Sequence, residues 1–409
     1  MTAHVYFPPP PDHVPPERIR EFDIYTFSPG VSDPLEQWGT LMASDAPRIF
    51  YTHHNGGHWV FLDYEDVREG FRNDALFSTY QTPIPPIEPY PVMQPQGVDP
   101  PEHKKFRSIL APIFTPAAVE RMQGELRHRS NALLDRFAQS GQCEFGRDFA
   151  SILPTGMFLF LMGMPEDRLG EFVRLAEVFM RSNDEAERAT NIQQIYTVIG
   201  EYLAWRATCP GDDLGSVLVR ARDENGQPFD QQDVLNCGFL LFVAGLDTVT
   251  STMTFIWRHL ARNVQARREL IARMDDRGRM AVAVDELLRM HAVPNIYRRV
   301  RRDMVYRGVT MRENDRVVLP VNVANRDGSV FDHPDRIELD REINNHLTFG
   351  AGPHRCVGSH LAKTEVTIAL QEWLRRIPDF RVADDADLRG HMGPTLGFSR
   401  LPLVWTPAA

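Results

Sequence analysis

One cysteine, Cys356, stands in the run Phe349-Gly350-Ala351-Gly352-Pro353-His354-Arg355-Cys356-Val357-Gly358. Its glycines and proline resist helix formation, while the apolar periodicity of 361–373 predicts a helix immediately after it. The loop would deliver a thiol to the first turn of that helix. Unsatisfied N–H groups and the macrodipole there favour a thiolate. Glycines on both sides leave room for a large planar group against the backbone. Such a thiolate is a metal ligand or a nucleophile, although a lone cysteine is more often a small buried hydrophobe. A nucleophile would want a base, and His354 lies two residues upstream. A structural zinc would want a second cysteine about two to four residues away; Cys143, Cys209 and Cys237 follow no such pattern. One thiolate with no second ligand suits a haem iron, which needs a single axial protein ligand.

Three further segments carry chemistry. Phe242-Val243-Ala244-Gly245-Leu246-Asp247-Thr248-Val249-Thr250 places a glycine, an acid and threonines inside an apolar helical pattern, which is locally costly. Thr248 can return its hydroxyl to the carbonyl of Ala244 and loosen the helix. The segment reads as a tolerated kink, or as a groove where O2 binds and Asp247 and Thr248 pass protons. Glu286 and Arg289, three residues apart, share a helix face and can pair; in isolation such a pair is usually a solvated surface feature. Asp99-Pro100-Pro101-Glu102-His103 reads as a helix start. His103 and Arg107 then lie on one face, suited to an anionic group.

The composition sets bounds around these residues. With 409 residues, 43% of them hydrophobic, the chain can bury a sizeable core. Four cysteines argue against a disulfide scaffold and for a reducing compartment. A net charge of -10 disfavours nucleic acid as a partner. No stretch reads as a membrane span, and residues 1–16 read as neither signal peptide nor anchor. We therefore expect a cytoplasmic monomer with no membrane partner.

The elements that must position these residues are mostly helical. After a proline-rich opening, helical signal begins near Pro34. Residues 49–51 and 58–62 read as a β-hairpin about Asn55-Gly56-Gly57, and 64–72 as a helix. Residues 82–101 form a long loop with eight prolines, the kind of loop that serves as a lid or substrate wall. Helices are expected at 102–113, 116–139, 149–162, 166–180, 186–207, 213–222, 230–261, 264–274, 280–291 and 357–376. Short strands are expected between Arg298 and Pro320. A closing hairpin is expected in the tail that contains Gly393, Gly397 and 401–405.

Taken together, the four segments resemble the cytochrome P450 family in order and spacing, over nearly the whole chain from Asp99 onward. The cysteine loop matches Phe-Gly-x-Gly-x-His-x-Cys-x-Gly at every specified position. Ala244-Gly245-x-Asp247-Thr248 and Glu286-x-x-Arg289 match in full. Ala324-Asn325-Arg326-Asp327 and Phe331-Asp332-His333-Pro334 resemble the segment before the haem loop. The resemblance implies a mainly α cytochrome P450 fold with a small β-rich region. It implies one haem domain over 1–409, with the proline-rich segment 1–33 packed on it. Haem b would lie between the long central helix and the cysteine-loop helix, with O2 as co-substrate. Cys356 would be the proximal iron ligand, with Phe349 packed beside it. His103, Arg107, Arg298 and His354 would hold the propionates, Arg298 from an Arg-x-x-x-x-Asp pattern ending at Asp303. Glu286 and Arg289 would be a structural lock, and Asp247 and Thr248 the pair that delivers protons for O–O cleavage.

No flavin- or nicotinamide-binding extension is evident, so the resemblance implies an iron–sulfur ferredoxin with a separate NAD(P)H-dependent reductase as the electron source. Lys104, Lys105, Arg107, Arg72 and Lys363 are candidates for its docking patch. Asn55 to Trp59, Arg376 to Phe380 and Leu401 to Trp405 look most like the camphor-hydroxylase branch, which handles compact apolar terpenoids. By position its pocket would be lined by Leu240, Val243, Ala244, Pro294, Asn295, Thr395 and Leu396. Tyr90 falls one residue from the place of a hydrogen-bonding tyrosine, and the loop 83–95 departs from the branch. The expected activity is hydroxylation of a monoterpenoid or ionone-like norisoprenoid. The alternatives are a peroxide-using haem-thiolate enzyme, which often lacks the acid–threonine pair, and a non-catalytic haem-binding sensor, in which that pair would be idle.

Overall fold

The computed structural model describes residues 9–86, 90–182 and 184–407. The start of the proline-rich segment, 1–8, and residues 87–89 of the long loop lie outside it. Helices dominate, and short acidic or amide side chains start many of them. Asp33, Asp184, Asp213, Asp230, Asn263 and Asp276 each accept a main-chain N–H at a helix start. Such a cap contributes about 1 kcal/mol.

The central helix, Gln231–Arg262, is the axis of the molecule. It packs against Ile152–Met162, Leu169–Arg181, Glu185–Thr208 and Leu214–Arg220. A Cβ at Gly238 would come within 2.7 Å of Ile199 Cγ2, so a bare position lets two helices approach closely. The cysteine-loop helix, Ser359–Arg376, lies against Gln123–Phe137. Phe145, Trp257 and Trp373 knit these layers together, with Phe145 stacked 4.8 Å from Trp257 and Trp257 edge-on to Trp373 at 5.9 Å. Both offset stacking and edge-to-face contact suit the aromatic quadrupole. Against the expectation of no spanning stretch, the central helix is long and apolar enough to cross a membrane. In the fold, however, 72% of its most apolar window is buried, as befits a core helix.

The β-rich part centres on a five-stranded sheet in the order Ile49–Thr52, His58–Phe61, Arg316–Pro320, Asn295–Val300, Phe77–Ser78. The expected hairpin is there, with Phe50 opposite Val60. Phe22 and Ile24 of the N-terminal segment are buried in the core beside this sheet.

Two expectations need correction. The helix over 116–139 is two helices, Pro116–Glu120 and Gln123–Phe137. Between them the chain tightens into a turn closed by Met122 N–H to the carbonyl of Val119. The tail is not one hairpin. Gly390–His391 pairs with Gly397–Phe398, but Pro402–Val404 joins Gln142–Glu144 and Arg381–Val382. Burial of Leu401 and Leu403 in the helical core draws that strand away. The helix start after Asp99 is there, at Glu102–Leu110, while the Asp99 carboxylate accepts from Ser78, Thr79 and Arg301.

Candidate active site

The cysteine loop is held by its backbone. Cys356 N–H donates to the carbonyl of Phe349 at 2.8 Å, closing the turn. Gly350 and Gly352 sit at φ +67° and +70°, a region that L side chains rarely adopt. A Cβ on Gly352 would lie 2.8 Å from Arg72 Cα and 3.0 Å from the carbonyl oxygen of Phe71. The loop is thus seated on the end of helix Tyr64–Arg72. Helix Ser359–Arg376 starts only after Gly358. The Cys356 side chain is exposed, yet protein surrounds it, so it faces a space within the fold. Burial raises its thiol pKa, while Gly358 N–H, Arg107 and Arg355 pull it back. Desolvation thus opposes the pull of the helix start at this thiol. Coordination to a metal is what deprotonates such a thiol.

The central helix shows a second bare surface. Ala244 and Gly245 are exposed in a helix otherwise sunk in the core, and a Cβ on Gly245 would meet nothing within 4 Å. Thr248 Oγ1 donates to the Ala244 carbonyl at 3.0 Å, the helix-loosening bond expected from the sequence. Asp247, one residue before, is buried. Behind it lies a cavity of about 50 Å³ lined by Ser151, Thr155, Glu177, Asp247 and Thr250. That is room for water with polar partners.

Four cationic or potentially cationic groups converge from three segments. His103 and Arg107 come from helix Glu102–Leu110, Arg298 from strand Asn295–Val300, and His354 from the cysteine loop. The His103 and His354 rings are 4.2 Å apart. Burial, then Arg298 and His103, push His354 down to about 3. Burial and Arg107 lower His103, and burial takes Arg298 to about 10. Arg298 donates to the carbonyls of Gly70 and Tyr297, and both ring nitrogens of His354 are sealed from solvent without a hydrogen-bond partner. Asp303, the far end of its sequence pattern, pairs instead with Arg312. A buried donor set of this kind is built for anions. With a flat bare face and a thiol nearby, it fits an iron-bearing ring with two carboxylates.

Glu286 and Arg289 are both 0% exposed. Glu286 accepts from Arg289, Arg341, Asn344 and the N–H of Glu338. Arg289 also donates to the carbonyls of Asn325, Pro334 and Arg336. The pair therefore ties its helix to the segment that leads into the cysteine loop. Phe349 is partly buried there, with Lys363 Nζ 5.6 Å over its ring.

The residues proposed for the pocket are less uniform. Leu240 is buried, and Val243 and Ala244 lie further along the central helix. Pro294 bridges to Thr395, which is buried. The Asn295 amide donates to the Gly393 carbonyl, and Leu396 is fully buried in the core beside the sheet. These two brace the C-terminal turn. Tyr90 belongs to a cluster the sequence did not reveal. Burial pushes its hydroxyl up to about 12, with Tyr25 and Arg188 as neighbours. Tyr25 donates to the Ile84 carbonyl and packs on Gly393, and Tyr297 is turned toward it. Tyr25 lies in a stretch without periodicity, so only the fold could bring it there. Among the candidate docking cations, Lys105 pairs with Glu102 and Lys363 with Asp285, while Lys104 and Arg72 are exposed.

Residues 204–389 match the model of the family Cytochrome P450. A probable cytochrome P450 127A1 from Sinorhizobium fredii is 35% identical, with 97% of each chain covered. The chain belongs to the cytochrome P450 family. Mycinamicin IV hydroxylase/epoxidase from Micromonospora griseorubida is 32% identical over 85% of this chain and 89% of that one. Among solved cytochrome P450 structures, CYP101J2 superposes with a TM-score of 0.88 at 30% identity, covering 97% of this chain and 99% of that one. CYP101C1 does so with a TM-score of 0.86 at 32% identity and the same coverage. The chain is a bacterial-type cytochrome P450 monooxygenase related to camphor hydroxylase, dependent on haem iron and O2.

Proposed function

We propose that this cytochrome P450 is a single haem domain that hydroxylates a compact, mostly apolar terpenoid carrying one hydrogen-bond acceptor, such as an ionone-like norisoprenoid. Two observations carry the reading, a bare wall at Ala244 and Gly245 and a Tyr25–Tyr90–Tyr297 cluster beside the C-terminal turn at Gly393. The wall leaves space for an apolar body, and the hydroxyls can orient one polar tip.

In this reading Cys356 ligates the iron. Arg107, Arg298, His103 and His354 hold the propionates, and Glu286 with Arg289 fixes the segment that carries the loop. Haem bound by a thiolate supplies activation of O2 for insertion into a C–H bond. The net reaction consumes one substrate C–H bond, O2, two electrons and two protons, and yields an alcohol and water. Thr248 holds a hydroxyl at the bare face through its bond to Ala244. Asp247 borders the water-sized cavity and so can pass protons inward from it. Leu240, Val243, Pro294 and Thr395 exclude water from the pocket. The electrons come from a ferredoxin and its NAD(P)H-dependent reductase, in the cytoplasm, with the protein acting as a monomer.

The test is a terpenoid screen for the low-to-high-spin shift that accompanies loss of iron-bound water. Ketone-bearing ionones should bind at least tenfold more tightly than their hydrocarbon analogues, and Tyr90→Phe should erase that preference. Equal affinity for ketone and hydrocarbon would defeat the substrate reading. A Soret band of the reduced carbon monoxide adduct that is unaltered in Cys356→His would defeat the ligand assignment.

A further inference from the structure

We propose that Glu21, His53 and His54 form a binding site for a divalent metal of the zinc class, separate from the haem. The site would fasten the N-terminal segment to the turn of the first β-hairpin. Two imidazoles and one carboxylate converge there. His53 Nε2 lies 3.3 Å from Glu21 Oε1, and His54 Nε2 lies 3.0 Å from Glu21 Oε2. The three ligand atoms all fall within 4.8 Å of one another. Around a tetrahedral zinc with bonds of about 2.0–2.1 Å, ligand atoms are separated by roughly 3.3–3.4 Å. Both ring nitrogens approach the Glu21 carboxylate at separations of that order, each at its own oxygen.

The backbone holds the ligands in place although the Glu21 carboxylate is exposed. Arg20 N–H donates to the Tyr51 carbonyl at 2.9 Å, and Thr52 Oγ1 donates to the Phe22 carbonyl at 2.8 Å. Glu21 is therefore pinned on both sides to the strand that leads into the two histidines. The His53 and His54 rings stack 5.0 Å apart, with planes 18° from parallel, so both Nε2 atoms aim at the same carboxylate.

The other nitrogen of His54 supplies the second argument. His54 Nδ1 faces Asp23 Oδ2 at 3.9 Å. Asp23 is itself held by Tyr25 N–H, the Thr26 hydroxyl and the Asn55 amide. His54 thus has a carboxylate toward each ring nitrogen, Glu21 on one side and Asp23 on the other. A carboxylate behind the ligating ring is the usual outer support of a metal-bound histidine. The donor set selects the metal class: nitrogen-rich and three-coordinate, it suits zinc, nickel, cobalt or copper rather than calcium or magnesium.

The experiment is a zinc titration of the haem-loaded protein against a chromophoric chelator. It uses a Cys209→Ser background, because Cys209 is an exposed thiol. One equivalent should bind with a dissociation constant below about 100 μM, a modest demand on three ligands. Glu21→Gln, His53→Ala and His54→Ala should each weaken binding at least tenfold, and Asp23→Asn about tenfold. Zinc-edge X-ray absorption should count two imidazoles. Weaker binding, binding indifferent to the His53 and His54 variants, or a spectrum without imidazole scattering would overturn the proposal.

Discussion

Replacing Glu286 by Gln removes one negative charge from a site with no access to water. Glu286 and Arg289 are both 0% exposed, and Arg341, which also donates to Glu286, is 7% exposed. Glu286 thus meets two guanidiniums, of which Arg341 also pairs with the partly exposed Glu338 at 3.1 Å. The Glu286 carboxylate receives five hydrogen bonds, two at Oε1 and three at Oε2. A glutamine keeps one oxygen and turns an NH2 toward at least two of those donors. Losing two hydrogen bonds to a buried charged group costs roughly 3–6 kcal/mol. Breaking a buried ion pair by removing one partner costs about 3–5 kcal/mol. These are two views of one loss, so the expected penalty is about 4 kcal/mol. That is a large share of the roughly 5–15 kcal/mol that holds a protein folded. Urea unfolding followed through tryptophan fluorescence should show the midpoint falling by more than about 1 M, taking m near 3 kcal/mol/M. Glu120→Gln is the control. Its partner Arg277 is 83% exposed, and the midpoint should stay within experimental scatter. If the two variants shift the midpoint equally, burial is not what gives the Glu286–Arg289 pair its weight.

Gly352→Ala should lose haem at least tenfold faster in a transfer assay to a scavenging globin, because its Cβ would meet the backbone of Arg72 at 2.8 Å; an unchanged rate would mean the loop has slack. Thr248→Val keeps the shape but removes the hydroxyl bonded to Ala244. Product formed per NAD(P)H consumed should fall about 100-fold, with the carbon monoxide spectrum unchanged. His58 is buried and its pKa is lowered to about 3 by desolvation. An unfolded histidine takes up its proton near 6.5, so stability falls as pH drops below that value and keeps falling toward 3. Between pH 7 and 5 this costs about 2 kcal/mol. Urea midpoints at the two pH values should differ less in His58→Phe than in the parent, and equal differences would rule out His58 as the source.

The parts of this protein that were legible in the sequence share a property: their physics is local. The hairpin about Asn55-Gly56-Gly57, the glycine loop around Cys356 and the Thr248 back-bond each depend on residues a few positions apart. The His103–Arg107–Arg298–His354 group came from resemblance, and the fold does gather its members. What could not be read was set by long-range contact. By spacing alone Glu286 and Arg289 look like any surface pair; only the resemblance makes them a lock, and the partners in residues 325–344 are long-range. Tyr25 and Arg188 have no local pattern that directs them to Tyr90. The strand Pro402–Val404 was read as a hairpin arm because nothing nearby announces Gln142–Glu144 as its partner.

That last pairing has a consequence for the order in which the molecule comes into being. Leu401 bonds Glu144 across 257 residues, and Arg127 meets Glu372 across 245. On a ribosome adding about 5–20 residues per second, the first partner waits tens of seconds for the second. Throughout that interval the helices that will flank Cys356 have no cysteine-loop helix to cover them. Cofactor loading is therefore an event of the finished chain, and a cell making this protein must shelter an apolar, half-built bundle until its last strand arrives.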